Sequence, residues 1–397
     1  MRVVTRWRGS GWWRRGGTGD SGAALQSELR LGEIVTPERH VHVRVLPELR
    51  SEQVDRHTRF SPSEALYFGT NFDLVGVDIP PGMRRTSLLA AITRILRTDV
   101  AVLELPEPLW ARFLPRTICL AAAWTLSGLV RGRWRRARTY AIENNDAISA
   151  LLGGARLGRV PSKLLRMTFG TLVFLMYERI AYGSDQAAST YRSLSLVGRL
   201  ESEVFPELPA RPADSGPVTA PVPRIAVFVG ELAPRKGLNV LLPAWELVEA
   251  RSADAQLHVI GSGPLEAQIR RWALDRPGSR HFRGHLVQHD VLQVLPTCTV
   301  LAAPSIRWRR WREQIGLPIK EALMSGLTVV TTTETGLAPW LRAHGHHVLA
   351  APPSPGALAE ALVQALAHPL PREQVVASLP AVSARLEADR WLHAESA

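Results

Sequence analysis

The sequence predicts an α/β protein made of two parallel, doubly wound halves. Three observations carry this. After Pro223, short apolar runs alternate with segments of helical period. The turns that follow those runs are rich in Gly, Pro, Ser and charge. Between the halves lies PELPARPADSGPVTAPVP at 206–223, with six prolines in eighteen residues, which reads as a semi-stiff linker.

In the second half, RIAVFV at 224–229 is a buried parallel strand. A helix follows at 238–250, a strand at 256–260, a helix at 265–274 and a strand at 281–283. Then come a short helix at 291–295, a strand at 300–303 and a helix at 318–325. Strands at 328–332 and 347–350 and a helix at 355–367 complete the set. Right-handed crossovers of this kind give a Rossmann-like sheet with ligand loops at the strands' carboxyl ends. In the first half, strands are expected at 41–46, 72–79, 100–105 and 139–142, and helices at 87–96 and 163–182. The apolar helix at 163–182 is expected to be interdomain core. The expected domains are a flexible arm at 1–35, a first domain at 36–205, the linker at 206–223, a second domain at 224–370, and a segment at 371–397 that packs back on the first domain.

Composition narrows the class. Only Lys163, Lys236 and Lys320 are lysines, so 45 of the 48 basic residues are arginine and the net charge is +12. Such a field favours anionic partners. Two distant cysteines exclude a disulfide scaffold and a cysteine zinc site, and they fit a reducing compartment. No apolar run reaches the roughly 18 residues of a spanning helix.

Two segments concentrate chemistry. In GELAPRKG at 230–237, Gly230 permits close approach of a ligand. Arg235 and Lys236 place two cations where a helix begins, a costly choice unless an anion binds there. In EQIGLPIKE at 313–321, Pro318 starts a helix, Glu321 lies in its first turn and Glu313 on the loop before it. Read on their own, the cations also fit a solvated loop, and Glu321 fits a carboxylate stabilising its own helix.

Together GELAPRKG, LHVIGSGP and PSIRWRRWREQIGLPIKEALMSG resemble the second domain of glycosyltransferase family 4, over about residues 224–366. The resemblance implies a GT-B fold, two Rossmann-like domains facing across a cleft. By position it implies that Arg235 and Lys236 hold the donor diphosphate and that Glu321 binds the ribose. It puts Glu313 near the transferred sugar, and Gly230, Gly261, Gly316 and Leu317 along the donor's backbone contacts. Arg283 falls near the base. Glu313, Arg235 and Lys236 are the implied catalytic set. The activity implied is transfer of a sugar from a nucleotide-diphosphate-sugar co-substrate to a hydroxyl, with retention, without metal or other cofactor.

The first half departs from the family. No glycine-rich turn follows its first strand, and no histidine lies between His57 and His258. Glu143, Asn144 and Asp146, at a strand end, read either as acceptor-side residues or as a capped helix start. Arg307 and Arg309 belong to a basic, Trp-rich cluster beside the expected cleft and are read as acceptor-side too. That cluster, with 131–138, fits an anionic membrane surface. The expected partners are thus the donor, a glycan, lipid-linked or small-molecule acceptor, and an anionic membrane at the cytoplasmic inner face, with nucleic acid disfavoured. Two other readings stay open: a non-catalytic nucleotide-sugar or nucleic-acid binder, and a nucleotide-sugar epimerase of the same fold.

Overall fold

A computed structural model describes residues 42–71, 74, 76–152, 158–213, 224–308 and 311–394. The expected arm at 1–35 lies outside the described residues. The fold and the site lie in the compact unit His40–Ala397.

The first sheet has seven strands: β1 (His42–Leu49), β2 (Ser63–Thr70), β3 (Met83–Arg85), β4 (Val102–Glu104), β5 (Ala137–Ala141), β6 (Tyr177–Tyr182) and β7 (Glu201–Val204). Their order is β3-β2-β1-β4-β5-β6-β7. The second has six: β8 (Ile225–Val229), β9 (Gln256–Ile260), β10 (Arg280–Gly284), β11 (Val300–Ala303), β12 (Thr328–Thr332) and β13 (His347–Leu349). Their order, β10-β9-β8-β11-β12-β13, is that of a dinucleotide-binding fold. All pairings within the two sheets are parallel.

Burial explains why these runs are strands. Val43, Leu103 and Ile180 in the first sheet, and Ala226, Leu257, Val300 and Val330 in the second, are completely buried under helices. Helix Leu238–Glu249 buries Trp245 against the second sheet. Truncating an indole in such a core costs about 3–5 kcal/mol.

The first half corrects several expectations. No strand occupies 74 or 76–79; the strands of this region are β2 and β3. The apolar stretch expected as one helix to residue 182 is a helix, Arg159–Met176, followed directly by β6. Apolar period alone does not separate a buried strand from the helix leading into it. That helix packs within the first domain against helix Leu114–Val130, with Leu164 and Met167 exposed, and is not interdomain core.

The stretch expected as a semi-stiff linker is partly packed. Leu208 joins the core of the second domain and Glu207 is buried. The segment after 370 divides. Helix Arg372–Ala377 packs on helix Leu317–Met324 of the second domain, whereas helix Ala384–His393 returns to β5 and β6. Four arginines fasten that return. Arg44 pairs with Asp389, Arg385 donates to Glu104 at 2.8 Å, Arg138 to the Leu392 carbonyl at 2.5 Å, and Arg179 to the Trp391 carbonyl at 2.6 Å.

Candidate functional site

Parallel strands place their outgoing loops along one edge, and here the turns after β8, β9 and β10 are neighbours. Gly230 donates to the Ile260 carbonyl at 3.0 Å and Gly261 to the Gly284 carbonyl at 2.8 Å. A Cβ on Gly261 would lie 1.9 Å from the Gly230 oxygen, so no side chain fits. The next turn, Pro234–Lys236, closes on Gly237 at φ +79°, where a Cβ would meet the Pro304 oxygen at 1.9 Å. The loop leaving β11 is thereby clasped to the Arg235–Lys236 turn, and Ile306 N–H donates to the Arg235 carbonyl at 2.9 Å.

That clasp brings Lys236 to Glu313. Lys236 Nζ lies 2.5 Å from Glu313 Oε2, which also accepts from Ser305 Oγ at 3.1 Å. Arg235 pairs with Glu231. The indole of Trp311 lies over both cations, 4.3 Å from the Arg235 guanidinium and 5.0 Å from Lys236 Nζ. The two cations the sequence leaves unmatched therefore have carboxylate and aromatic partners here. Gly316, at φ +91°, begins helix Leu317–Met324. Glu321 is buried one turn in and accepts from Gln288 Nε2 at 3.0 Å; burial raises its carboxyl above the usual range. Arg283 is exposed at the end of β10.

The first domain meets this loop directly. Asn144 Nδ2 donates to the Glu313 carbonyl at 2.9 Å, Gln314 Nε2 to Glu143 Oε1 at 3.0 Å, and Arg312 Nη1 to the Asn144 carbonyl at 2.9 Å. Glu143 and Asn144 thus sit against the loop that carries Glu313. Asp146 does not. It accepts from Ser149 N–H at 3.1 Å as the cap of helix Ala147–Leu151 and pairs with Arg166, so the capped helix start describes it. Arg307 is exposed and lines neither cavity described below; Arg309 lies outside the described residues.

Between the domains is a cleft of about 480 Å³, bounded by Pro47, Glu107 and Tyr140 on one side and Trp311, Glu313, Gly316 and Leu317 on the other. At its floor Glu207 bonds to the Tyr140 hydroxyl, to Arg56 at 3.2 Å and to Lys320 at 3.2 Å. Burial pushes the Glu207 carboxyl up, but Lys320 and Arg56 outweigh it and hold it at about 2.

Sequence reasoning missed Glu107, which follows β4. Its Oε2 accepts from the backbone N–H groups of Ile142 and Glu143 and from the Tyr191 hydroxyl, each at 3.0 Å. Burial first, and Glu143 second, raise its carboxyl from 4.5 to about 7. A Leu-Pro-Glu-Pro at a strand's carboxyl end is the signal that could have found it. The shift carries a measurable consequence. Below about pH 4.5 both folded and unfolded chains hold the proton. As pH rises towards 7 the unfolded chain ionises first, so stability falls by at most about 3 kcal/mol and then levels off. Glu107→Gln should remove that slope, with urea midpoints equal to wild type at pH 4.5 and higher at pH 8.

Residues 223–368 match the family model described as glycosyl transferases group 1. Over 108 residues the chain is 35% identical to a GDP-mannose-dependent monoacylated alpha-(1-6)-phosphatidylinositol monomannoside mannosyltransferase of Corynebacterium glutamicum, covering 26% of this chain and 28% of that protein. Over 160 residues it is 30% identical to the phosphatidyl-myo-inositol mannosyltransferase of Mycobacterium tuberculosis, covering 39% and 41%. The matches span under half the length of these curated relatives. In crystal structures, Anabaena Alr3699/HepE in complex with UDP superposes with a TM-score of 0.56 at 12% identity, over 88% of this chain and 95% of that one. WaaG, a glycosyltransferase involved in lipopolysaccharide biosynthesis, gives 0.54 at 15%, over 89% and 100%. The two-sheet arrangement is the GT-B fold. Among the described residues, no helix is long and apolar enough to cross a membrane.

Proposed function

We propose that this chain, whose second domain carries the group 1 match, is a glycosyltransferase that moves a sugar from a nucleotide-diphosphate donor to an acceptor hydroxyl with retention and without a metal. The observation that carries the reading is the pairing of Lys236 with Glu313 beside Arg235, at the carboxyl edge of the second sheet and against Asn144. As the C1–O bond to the leaving diphosphate stretches, negative charge grows on the phosphates and positive charge on the ring. Arg235 and Lys236 answer the first and Glu313 the second. The acceptor oxygen bonds to C1 on the face the diphosphate leaves, and its proton passes to a diphosphate oxygen. Glu321 takes the ribose hydroxyls in place of Gln288. The relative from C. glutamicum, named for its GDP-mannose dependence, favours a guanosine diphosphate donor.

Calorimetric titration with GDP, UDP, ADP and TDP tests this. One nucleotide should bind saturably, and Glu321→Ala should weaken it at least tenfold, the worth of hydrogen bonds to a charged group. No binding by any of the four would overturn the donor site.

The proposal includes peripheral membrane contact through the first domain. Helices Leu114–Val130 and Arg159–Met176 pack together and expose Leu129, Val130, Leu164 and Met167, with Trp134, Arg133 and Lys163 exposed alongside. Apolar residues rimmed by cations suit an anionic headgroup layer. The full chain should sediment with phosphatidylglycerol vesicles and not with phosphatidylcholine ones. Val130→Glu with Leu164→Glu should abolish this while nucleotide binding persists.

A further inference from the structure

A second cavity of about 500 Å³ opens beside the cleft and shares Glu107, Trp110, Ile142 and Gln314 with it. Its other walls include Glu143, Asn145 and Ser149. The two carboxylates are held alike. Glu107 Oε2 takes three donors, as above, and Glu143 Oε1 takes three: the backbone N–H of Asn145 at 2.8 Å, its side-chain amide at 2.8 Å, and Gln314 Nε2 at 3.0 Å. The second oxygen of each has no protein partner among the described residues. Each carboxylate is therefore fixed in orientation by one oxygen and keeps the other for a ligand.

We propose that this cavity is the acceptor subsite and takes an uncharged polyhydroxylated ring, a sugar or a cyclitol, whose hydroxyls are read by Glu107 and Glu143. The proposal rests on the glycosyltransferase reading for the word acceptor; the cavity's chemistry stands apart from it. Two unsatisfied carboxylate oxygens ask for hydroxyl donors, and vicinal hydroxyls supply them in pairs. Trp110, exposed and lining the cavity, supplies aromatic surface of the kind that covers a ring's C–H side. The volume is that of a small-ligand pocket. In a chain of net charge +12, two carboxylates against the single cation Arg112 make this a locally acidic wall. A phosphorylated ring would bring like charge to it, so the wall selects against phosphate as well as for hydroxyl. Near neutrality Glu107 populates both protonation forms, which lets it accept from a hydroxyl or donate to one. Since Glu107 and Gln314 also line the cleft that holds Glu313, a ring seated here presents a hydroxyl towards the proposed donor sugar.

The test uses the full chain without nucleotide, with methyl α-D-mannopyranoside, myo-inositol and mannose 6-phosphate as probes in saturation-transfer NMR. At least one neutral probe should bind in the millimolar range and more tightly than the phosphorylated one. Glu107→Gln should weaken it at least tenfold, the worth of a hydrogen bond to a charged group. Ser149→Phe, which fills the cavity and leaves both carboxylates in place, should abolish it. Far-UV circular dichroism should match wild type in both. Neutral-probe binding unchanged in both folded variants overturns the subsite, as does tighter binding of the phosphate, or no neutral probe bound at roughly 50 mM, a free energy too weak for a preformed site. Variant-sensitive polyol binding in a chain that binds no nucleotide supports the cavity and removes the donor reading instead.

Discussion

Lys236→Ala should lower kcat/KM for transfer by roughly a thousandfold. Two losses combine. The ammonium is one of two cations available to the leaving diphosphate, and removing such a preorganised charge costs about 2.7–4 kcal/mol. Its partner Glu313, 2.5 Å away and largely buried, would then face the incoming phosphates as an uncompensated carboxylate. The double variant Lys236→Ala/Glu313→Gln should regain part of the nucleotide affinity by removing that repulsion, yet not regain turnover, because Glu313 no longer answers the ring's positive charge. The urea midpoint should fall as well, because the Lys236 and Glu313 side chains are only 17% and 13% exposed and breaking a shielded pair strands the carboxylate. Wild-type transfer by Lys236→Ala would end the diphosphate assignment.

Asp389→Ala should be the most destabilising single change in the first domain's periphery. The Asp389 side chain is completely buried, accepts from Ser61 N–H at 2.7 Å and Oγ at 2.8 Å, and pairs with Arg44, itself about 5% exposed. Deleting it leaves a buried guanidinium with Glu104 as its remaining carboxylate partner, a loss of about 3–5 kcal/mol. Asp389→Asn keeps an acceptor for Ser61 and should cost less than half as much. Urea unfolding monitored by circular dichroism measures both, and equal midpoints for wild type and Asp389→Ala would show that Arg44 finds solvent or Glu104 at no cost.

The second domain is legible because its local and global signals agree. RIAVFV, QLHVI and VLAA are short, mostly apolar and run straight into glycine or proline, so each reads as a buried parallel strand and each is one. The first domain mixes signals. YERIAY at 177–182 continues the apolar pattern of a helix that ends at Met176, and only the packing of Tyr177 and Ile180 reveals it as a strand. The buried ion pairs are invisible for a different reason. Arg44 meets Asp389 across 345 residues, and no spacing rule reaches that far. Of the candidate site, Lys236, Glu313 and Glu321 lie in one motif pair and announce themselves. Glu107 does not, because its distinction comes from three donors that arrive from two other segments.

The return of helix Ala384–His393 to the first sheet sets a schedule for synthesis. Arg44, Arg138 and Arg179 emerge early, yet the groups they bond to at 389–392 are made hundreds of residues later. At ribosomal speeds of about 5–20 residues per second, Arg44 waits roughly 15–70 s for Asp389. During that interval the first domain has its strands but not its closing helix. The second domain, whose sheet and flanking helices lie within one continuous stretch, can finish first although it begins later. Although translated first, the first domain is therefore the last to be closed, and a nascent chain stalled before Asp389 still lacks the buried partner of Arg44.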